Sequence, residues 1–279
     1  MGIVSGCAGS PHGYREQMSE VLLIDHAEAV ATLTLNRPES MNSLSVELKS
    51  DLLAALIAAA SDRTVRAVVI AGTGRGFCVG QDLGEHIQLL QSHDPAPLNT
   101  VREHYNPITR AIVGMPKPVI AAVNGTAAGA GASIAFACDF RIVSESAKFL
   151  LAFAGVGLGL DSGASWTLPR LIGSGRAMEL SLLAQPITAQ TAERYGLVSE
   201  LVPPDQVLPA ALQLATRLAT GPTTAYAAIK QSIHFAASHS LAESLENEAV
   251  QQTAAGASED HAAAVSAFVN KGRPVFVGH

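Results

Sequence analysis

The spacing of the apolar positions changes near residue 160. Before that point, short apolar runs alternate with stretches at helical spacing, and from Gly163 onward the pattern is helical. The runs Ala67–Ala71 and Val119–Val123 are continuous and apolar, which is typical of strands buried on both faces of a sheet. Strand–helix–strand units followed by helices predict an α/β fold with a helical C-terminal region.

The individual elements follow from the same spacing. Two β-prone runs, Val21–Ile24 and Ala29–Leu35, are separated by Asp25–Glu28 and predict a hairpin. Ser45 is placed to cap a helix through Ala60, because leucines follow it at helical spacing. The other predicted elements are strands over Phe140–Val143 and Lys148–Leu151 and helices near Gly129–Cys138, Ser165–Leu171, Ala177–Leu183, Thr188–Tyr195, Leu208–Ala219, Thr223–Ser238 and Leu241–Gly256.

These patterns divide the chain into three regions. Residues 1–17 are rich in Gly and Ser and lack the apolar centre of a secretory signal, so we expect a disordered extension. Residues 18–205 are predicted to form the α/β core. Residues 206–279 are predicted to form the helical C-terminal region.

Composition narrows the class of partner. The net charge of −6 argues against non-specific binding to nucleic acid, which needs a basic surface. No apolar run approaches the roughly 20 residues of a membrane helix, so no membrane partner is expected. Cys7, Cys78 and Cys138 show no CxxC spacing, which predicts neither a disulfide framework nor a zinc site and favours a cytoplasmic location.

Two glycine-rich segments, each directly after a buried strand, are the first candidates for chemistry. Residues 74–83 (GRGFCVGQDL) are either a flexible connection or a place where backbone approaches a ligand closely. Residues 124–133 (NGTAAGAGAS) open a helix, whose free N–H groups and dipole would stabilise an oxygen that becomes anionic. Close helix packing through small side chains is the alternative. Neither segment has the spacing of a phosphate loop or a dinucleotide fold.

The chain resembles the crotonase, or enoyl-CoA hydratase/isomerase, superfamily. The similar motifs occur in the family's order and span about residues 21–279: TLNRPESMNSLS, GRGFCVGQDL, PKPVIAAVNGTAAGAGAS, SAKFLLAFAGVGL, ITAQTAERYGLVSELV and AFVNK. The resemblance implies a ClpP-like spiral of stacked β-sheets and a C-terminal region that serves trimerisation and capping of CoA. It also implies a homotrimer or a dimer of trimers.

The resemblance further implies an oxyanion hole made of two backbone N–H groups, those of Gln81 and Ala130. The substrate would be an acyl-CoA, with coenzyme A as part of the substrate and no tightly bound cofactor. No His, Asp or Glu spacing suggests a metal. The residues that would line the substrate or CoA site are Arg37, Ser43, Val79, Asp82, Leu83, Gly129, Ser133, Phe153, Trp166, Phe268 and Lys271.

The chain departs from the family's hydratases at both catalytic glutamates. Ser133 stands at the first position and Phe153 at the second, and neither can act as a carboxylate acid or base. Asp161 offers another carboxylate, in a place similar to the family branch that includes the isomerase of ring-epoxidised phenylacetyl-CoA. That branch has a Pro where this chain has Leu160.

The role of Asp161 has two interpretations at this stage. It caps the helix that begins near Gly163, or it shuttles a proton during a 1,3-shift on an unsaturated acyl-CoA; the two roles are compatible. Isomerase is the favoured activity, with enoyl-CoA hydratase as one alternative and a non-catalytic CoA-ester-binding subunit as another. Asp82 is expected to stabilise its loop, whereas Glu85, His86 and His104 are weaker candidates for the substrate site.

Overall fold

The computed structural model describes residues 14–16 and 20–279. Tyr14–Glu16 form a short strand that pairs antiparallel with Leu22–Ala27, which differs from the disorder expected for those three residues. The rest of the predicted extension, residues 1–17, lies outside the described residues. None of the helices in the described ranges is long and apolar enough to cross a membrane.

Eleven strands are present in the described part of the chain. Their bounds are β1 Tyr14–Glu16, β2 Leu22–Ala27, β3 Val30–Leu35, β4 Ala67–Gly72, β5 Gly76–Cys78, β6 Val119–Val123, β7 Thr126–Ala128, β8 Phe140–Ser144, β9 Lys148–Leu150, β10 Ile187–Thr188 and β11 Glu200–Val202. Seven of them form one sheet in the order β1-β2-β3-β4-β6-β8-β11, and four form a second sheet in the order β10-β9-β7-β5. From β3 to β11 the larger sheet is parallel, as the crossover pattern predicts.

The first hairpin is tighter than the sequence predicts. β2 and β3 pair up to Ala27 and Val30, so that the turn consists of Glu28 and Ala29 alone. Both residues have positive φ, 50° and 62°. A two-residue turn of this kind matches the twist of the strands, although neither residue has the Asn or Gly signature that announces it. The predicted four-residue separation, Asp25–Glu28, is therefore wrong at both ends, because Asp25 to Ala27 belong to β2 and Ala29 belongs to the turn.

Ten α-helices surround the sheets within the described residues. They are α1 Val46–Ser61, α2 Leu83–Gln91, α3 Asn106–Val113, α4 Ala130–Ala137, α5 Ala164–Leu183, α6 Ala189–Tyr195, α7 Val207–Ala219, α8 Thr223–Ala236, α9 Leu241–Gly256 and α10 Glu259–Val269. A π-helical turn, Val101–Tyr105, leads into α3. The predicted cap of α1 is confirmed, because the Ser45 side chain accepts a hydrogen bond from the Leu48 N–H.

The C-terminal half contains two strands, β10 and β11, where the pattern predicts only helices, because strands of two and three residues are too short to show an alternating pattern. Two further differences concern its helices. The two helices predicted on either side of Gly173 are joined as α5, with a kink where Gly173 adopts φ 77° and ψ 158°. α10 was not predicted at all. It begins at a Ser258 cap and its first turn carries the buried Asp260, whose carboxylate accepts hydrogen bonds from the Val277 and Gly278 N–H groups.

The larger sheet separates two apolar layers. On one face, residues of β3, β4, β6 and β8 pack against the buried alanines of α7, among them Ala211 and Ala215. On the other face lies the main core, which includes α1, α3, α4 and the smaller sheet. β4 and β6 are therefore buried on both sides, which confirms the interpretation of their continuous apolar runs.

Candidate active site

The two glycine-rich segments leave the larger sheet side by side. β4 and β6 are neighbouring parallel strands, so the segments that follow them emerge at the same edge. Each segment contains a short strand that sequence reasoning missed, β5 in the first and β7 in the second. These two strands pair with each other in the smaller sheet. The pairing holds the two segments together near their beginning.

Glycine is required where the segments touch. A Cβ on Gly131 would lie 2.2 Å from the carbonyl oxygen of Cys78, and one on Gly80 would lie 2.9 Å from that of Ala128. Gly80 also adopts a φ of 87°, which L side chains rarely accept. The backbones therefore approach each other more closely than any other residue would permit, and the interpretation as a flexible connection does not describe this arrangement.

The peptide units at Gln81 and Ala130 are held by their carbonyl groups. The Leu44 N–H donates to the Gly80 oxygen at 2.7 Å, so the Gln81 N–H of the same trans peptide points away from Leu44. The Gly129 oxygen accepts hydrogen bonds from the N–H and the hydroxyl of Ser133, and the Ala130 N–H at the start of α4 points the opposite way. Within the described residues, neither N–H donates to a protein acceptor.

Both residues line one cavity of about 730 Å³. Its wall is mostly apolar, with a few polar groups, which is the usual character of a small-molecule site. Of the residues that the sequence singles out, the structure brings a common set to this cavity: Ser43, Val79, Gln81, Asp82, Leu83, His86, Gly129, Ala130, Phe153 and Asp161.

Asp161 lies in the loop before α5, and its carboxylate has few hydrogen-bonding partners. Its carboxylate accepts one hydrogen bond, from the Ser162 hydroxyl at 2.8 Å. Burial raises the pKa of this carboxyl group above its ordinary value, and the Ser162 hydrogen bond only partly opposes the effect. The cap position of α5 is Gly163, and no side chain makes a capping hydrogen bond there. The capping interpretation of Asp161 therefore has no support in the structure.

Asp82, the other carboxylate of the cavity wall, is fully engaged. It accepts hydrogen bonds from Arg37 at 2.7 Å, from the Ser43 hydroxyl at 3.0 Å and from the Glu85 N–H, which makes it the cap of α2. Burial opposes ionisation, but these donors hold the pKa of Asp82 below its usual value. Arg37 and Ser43 thus meet at Asp82, where they anchor the first loop.

Glu85 has a structural partner as well. Its carboxylate accepts hydrogen bonds from the Val46 N–H at 2.9 and 3.1 Å, at the N-terminus of α1. This contact ties α2 to α1 and gives Glu85 a role in the frame of the cavity. His86, one residue further, lines the cavity itself.

The two positions of the family's hydratase glutamates differ in their surroundings. Ser133 is fully buried, its hydroxyl donates to the Gly129 oxygen at 3.0 Å, and it does not line the cavity. Phe153 does line the cavity and is 6% exposed. An aromatic ring and a buried hydroxyl therefore occupy the places where water activation would need carboxylates.

Three residues that the sequence singles out lie away from Asp161 and the loops. Trp166 faces a separate cavity. The Arg170 Cζ lies 4.2 Å from the centre of its ring, and the centre of the His234 ring lies 5.5 Å away. Phe268 is exposed near the end of α10, and Lys271 follows that helix on the surface. The structure does not bring these side chains to the cavity of Asp161.

A group of hydrogen-bonded polar side chains lies behind the first loop, and sequence reasoning missed two of its members, Lys49 and Thr100. The Gln81 side-chain oxygen accepts hydrogen bonds from the Tyr105 hydroxyl and from the Lys49 ammonium group. Lys49 also donates to the Thr100 hydroxyl, which in turn contacts His104. One signal was present in the sequence, because Lys49 falls on the stripe of α1 that Leu48, Leu52 and Leu56 define.

Known proteins are similar to this chain in sequence and in fold over nearly its whole length. The sequence model of the family described as enoyl-CoA hydratase/isomerase matches residues 25–279. A 1,2-epoxyphenylacetyl-CoA isomerase of Escherichia coli (strain K12) is 42% identical over 263 residues, which cover 94% of this chain and 100% of the relative. A 2,3-dehydroadipyl-CoA hydratase of the same strain is 36% identical, again covering 94% and 100%.

A solved structure gives the same result. A crystal structure from Mycobacterium abscessus, described as an enoyl-CoA hydratase/isomerase, is 45% identical and superposes with a TM-score of 0.89, covering 92% of this chain and 100% of that chain. The stacked sheets, the surrounding helices and the extended sequence match all agree. The chain therefore belongs to the enoyl-CoA hydratase/isomerase family and has the crotonase fold, an enzyme fold that acts on acyl-CoA thioesters.

Proposed function

We propose that this chain is an isomerase that moves a double bond in an unsaturated acyl-CoA, with Asp161 as the group that carries the proton. The observation that supports this most directly is the isolation of Asp161. It lines the same cavity as Gln81 and Ala130, and among the described residues its carboxylate accepts no hydrogen bond from a cationic side chain or a backbone N–H. Asp82, by contrast, is occupied by Arg37, Ser43 and a helix N-terminus.

The thioester oxygen of the substrate accepts hydrogen bonds from the Gln81 and Ala130 N–H groups. Negative charge develops on that oxygen when a proton leaves the neighbouring carbon, so the two donors stabilise the transition state more than the ground state. One donor of this kind contributes about 3 kcal/mol in enzymes where it has been removed. Ala130 adds the positive end of the α4 dipole.

Asp161 takes the proton from one carbon and returns it to another. A single carboxylate suffices, because its ionised form is the base and its protonated form is the acid of the same cycle. The raised pKa brings the carboxyl group closer to the proton affinity that both steps require. Ser133 and Phe153 leave no second carboxylate at the places where the family's hydratases have them.

Coenzyme A enters as part of the substrate, and no tightly bound cofactor takes part in this proposal. Ser43 and Leu83 line the cavity, and Arg37 contacts Ser43 and Asp82 beside it, so these three residues are candidates to contact CoA. Phe268 and Lys271 would reach the CoA of a neighbouring subunit in a homotrimer or a dimer of trimers. Exposed apolar side chains along the last three helices support an assembly of this kind: Ile229, Ile233, Leu241, Leu245, Val265 and Phe268. Light scattering measures the assembly directly.

Isomerisation of a 3-enoyl-CoA to its 2-enoyl isomer tests the proposal. We expect wild-type turnover, and we expect the Asp161→Asn variant to lose it while binding a saturated acyl-CoA with unchanged affinity. Asp205→Asn, in a short surface helical turn, is the matched control and should retain full activity. A fully active Asp161→Asn variant would remove Asp161 from the mechanism.

Hydration is the second candidate, because relatives of comparable similarity carry both names. An assay of crotonyl-CoA hydration, monitored by the loss of the absorbance of the conjugated double bond, separates the two activities. We expect little or no hydration. Robust hydration without isomerisation would replace the isomerase proposal, with a water molecule held by Asp161. Binding by calorimetry without any turnover of short, long, aromatic or branched esters would instead favour a non-catalytic CoA-ester-binding subunit.

A further inference from the structure

Lys49 is a buried cation without an acidic partner. Its side chain has no exposed surface, and among the described residues no carboxylate lies within ion-pair distance of its ammonium group. Its hydrogen-bond acceptors are the Thr100 hydroxyl at 2.7 Å and the Gln81 amide oxygen at 3.3 Å, and the Tyr105 ring centre lies 5.3 Å away. Burying an ammonium group in this way costs free energy that an apolar side chain would not.

The acidic groups nearby have other hydrogen-bonding partners. Asp82 is paired with Arg37, and Glu85 accepts two hydrogen bonds from the Val46 N–H. Burial lowers the pKa of Lys49, and the charges of Glu85 and Asp82 oppose that effect from beyond contact distance. His104 and the Tyr105 hydroxyl complete the titratable groups around it, and both are linked to it through the hydrogen bonds of Thr100 and Gln81.

Gln81 is the residue of the first loop that the Lys49 ammonium group contacts. Its side chain is held by Lys49 and Tyr105 on one side, while its own N–H belongs to the peptide that Leu44 fixes through the Gly80 oxygen. The lysine thus lies behind the residue that faces the cavity, and it also links the first loop to the π-helical turn through Thr100. It does not itself line the cavity.

We propose that Lys49 is a positioning residue for the oxyanion hole: its ammonium group fixes Gln81 through the side-chain oxygen and places a positive charge behind the Gln81 N–H. The inference rests on the proposed role of Gln81 in binding the thioester oxygen. A fixed cation in a site sheltered from water lowers the free energy of a developing oxyanion without touching the substrate. The burial of this charge is unfavourable for folding, and its benefit lies in turnover.

Lys49→Met tests the proposal, since methionine has a similar shape and no charge. We expect kcat for 3-enoyl-CoA isomerisation to fall by about tenfold or more, with KM nearly unchanged. The melting temperature should stay the same or rise. Lys117→Met is the matched control, because Lys117 is a second buried lysine that donates to the Ala59 and Asp62 oxygens at the other end of α1. It should lower the melting temperature and leave kcat unchanged.

Gln81→Met keeps the backbone N–H and removes only the side-chain link. It should lower kcat, but by less than Lys49→Met does, because the Lys49 charge remains. The double variant should lose little more than Lys49→Met alone, because both changes break the same connection. If Lys49→Met does not fold, Gln81→Met carries the test alone. Wild-type kcat in either variant, or additive losses in the double variant, would overturn the proposal.

Binding of acetoacetyl-CoA separates this inference from the proposed isomerase activity. The ultraviolet absorbance of its enolate reports the pH at which the bound ligand ionises, and no turnover is needed. We expect ionisation in the Lys49→Met variant to require a pH higher by about one unit than in the wild type. If the wild type isomerises nothing, the isomerase proposal fails and this measurement still decides the role of Lys49. An unshifted ionisation would show that the lysine is only a structural group.

Discussion

Gly80 and Ala130 lie so close together that a Cβ on Gly80 would be 3.2 Å from the Ala130 amide nitrogen. The residue before one proposed oxyanion donor is thus in contact with the other donor. Backbone packing between the loops holds the two N–H groups at their separation, and the Lys49 contact to the Gln81 side chain adds to it. Several consequences of this arrangement can be measured.

Gly80→Ala should inactivate the site without unfolding the chain. The added methyl group would meet the Ala128 oxygen at 2.9 Å, and the φ of 87° would be strained, so the loops must move apart. Displacement of the donors should lower kcat by roughly a hundredfold. Gly175→Ala in α5 is the control, because a Cβ there meets nothing within 4 Å. Equal kcat values for the two variants would contradict the close-packing argument.

The pH profile of kcat/KM should reflect the raised pKa of Asp161. The carboxylate must be ionised to accept a proton, and burial shifts its ionisation upward. We therefore expect activity to fall on the acid side at a higher pH than an exposed aspartate, with its pKa of about 3.9, would produce. Circular dichroism over the same pH range identifies any contribution from unfolding. An acid limb at or below the ordinary value would argue against Asp161 as the base.

Asp161→Asn should be at least as stable as the wild type at neutral pH. The folded-state pKa is raised, so the native state binds this proton more tightly than the unfolded state does. Its stabilising contribution is complete below the unfolded-state pKa and is lost as pH rises through the folded-state pKa. Removing the charge should therefore raise the melting temperature at neutral pH and change it little in acid. A lower melting temperature at neutral pH would assign Asp161 a structural role.

Asp82→Asn should have the opposite pH signature. The pKa of Asp82 is lowered in the folded state, so its contribution is present above the unfolded-state pKa and lost as pH falls through the folded-state pKa. We expect a loss of about 1–3 kcal/mol at neutral pH, with a rise in KM as the first loop loosens. The difference from the wild type should shrink in acid. Asp62→Asn, at the far end of α1, should leave KM unchanged.

The elements that the sequence predicts well are those whose pattern extends over several turns or is uniformly apolar. The Ser45 cap, the leucine stripe of α1 and the runs of β4 and β6 all depend on local chemistry. The Glu28–Ala29 turn was mislocated because tertiary pairing imposes positive φ on residues that do not favour it. β5 and β7 were missed because each is only three residues long and is defined by pairing with distant segments, β5 with β7 and β7 also with β9.

The candidate site shows a similar division. Local motifs identified the two loops and Asp161. Whether the Asp161 carboxylate caps α5 or stays free depends on whether an N–H group of α5 donates to that carboxylate, and only the structure shows that none does. Trp166 is close to Asp161 in sequence, yet the direction of α5 turns it toward His234. Lys49 could be noticed on its apolar stripe, but Gln81 and Thr100 come from 32 and 51 residues away.

The pairing of β4 with β6 has a further consequence for how the protein tolerates change. The two strands align Val68 with Val119, and each donor peptide follows its strand by way of a short strand of the smaller sheet, β5 or β7. A slip of one residue in that alignment would move one donor by about 3.3 Å relative to the other. Enzymes in general tolerate a displacement of only about 0.5 Å in the position of a catalytic group. The buried valines of β4 and β6 therefore help to set the distance between the two donor N–H groups. Substitutions far from any substrate atom can consequently slow turnover in a fully folded enzyme.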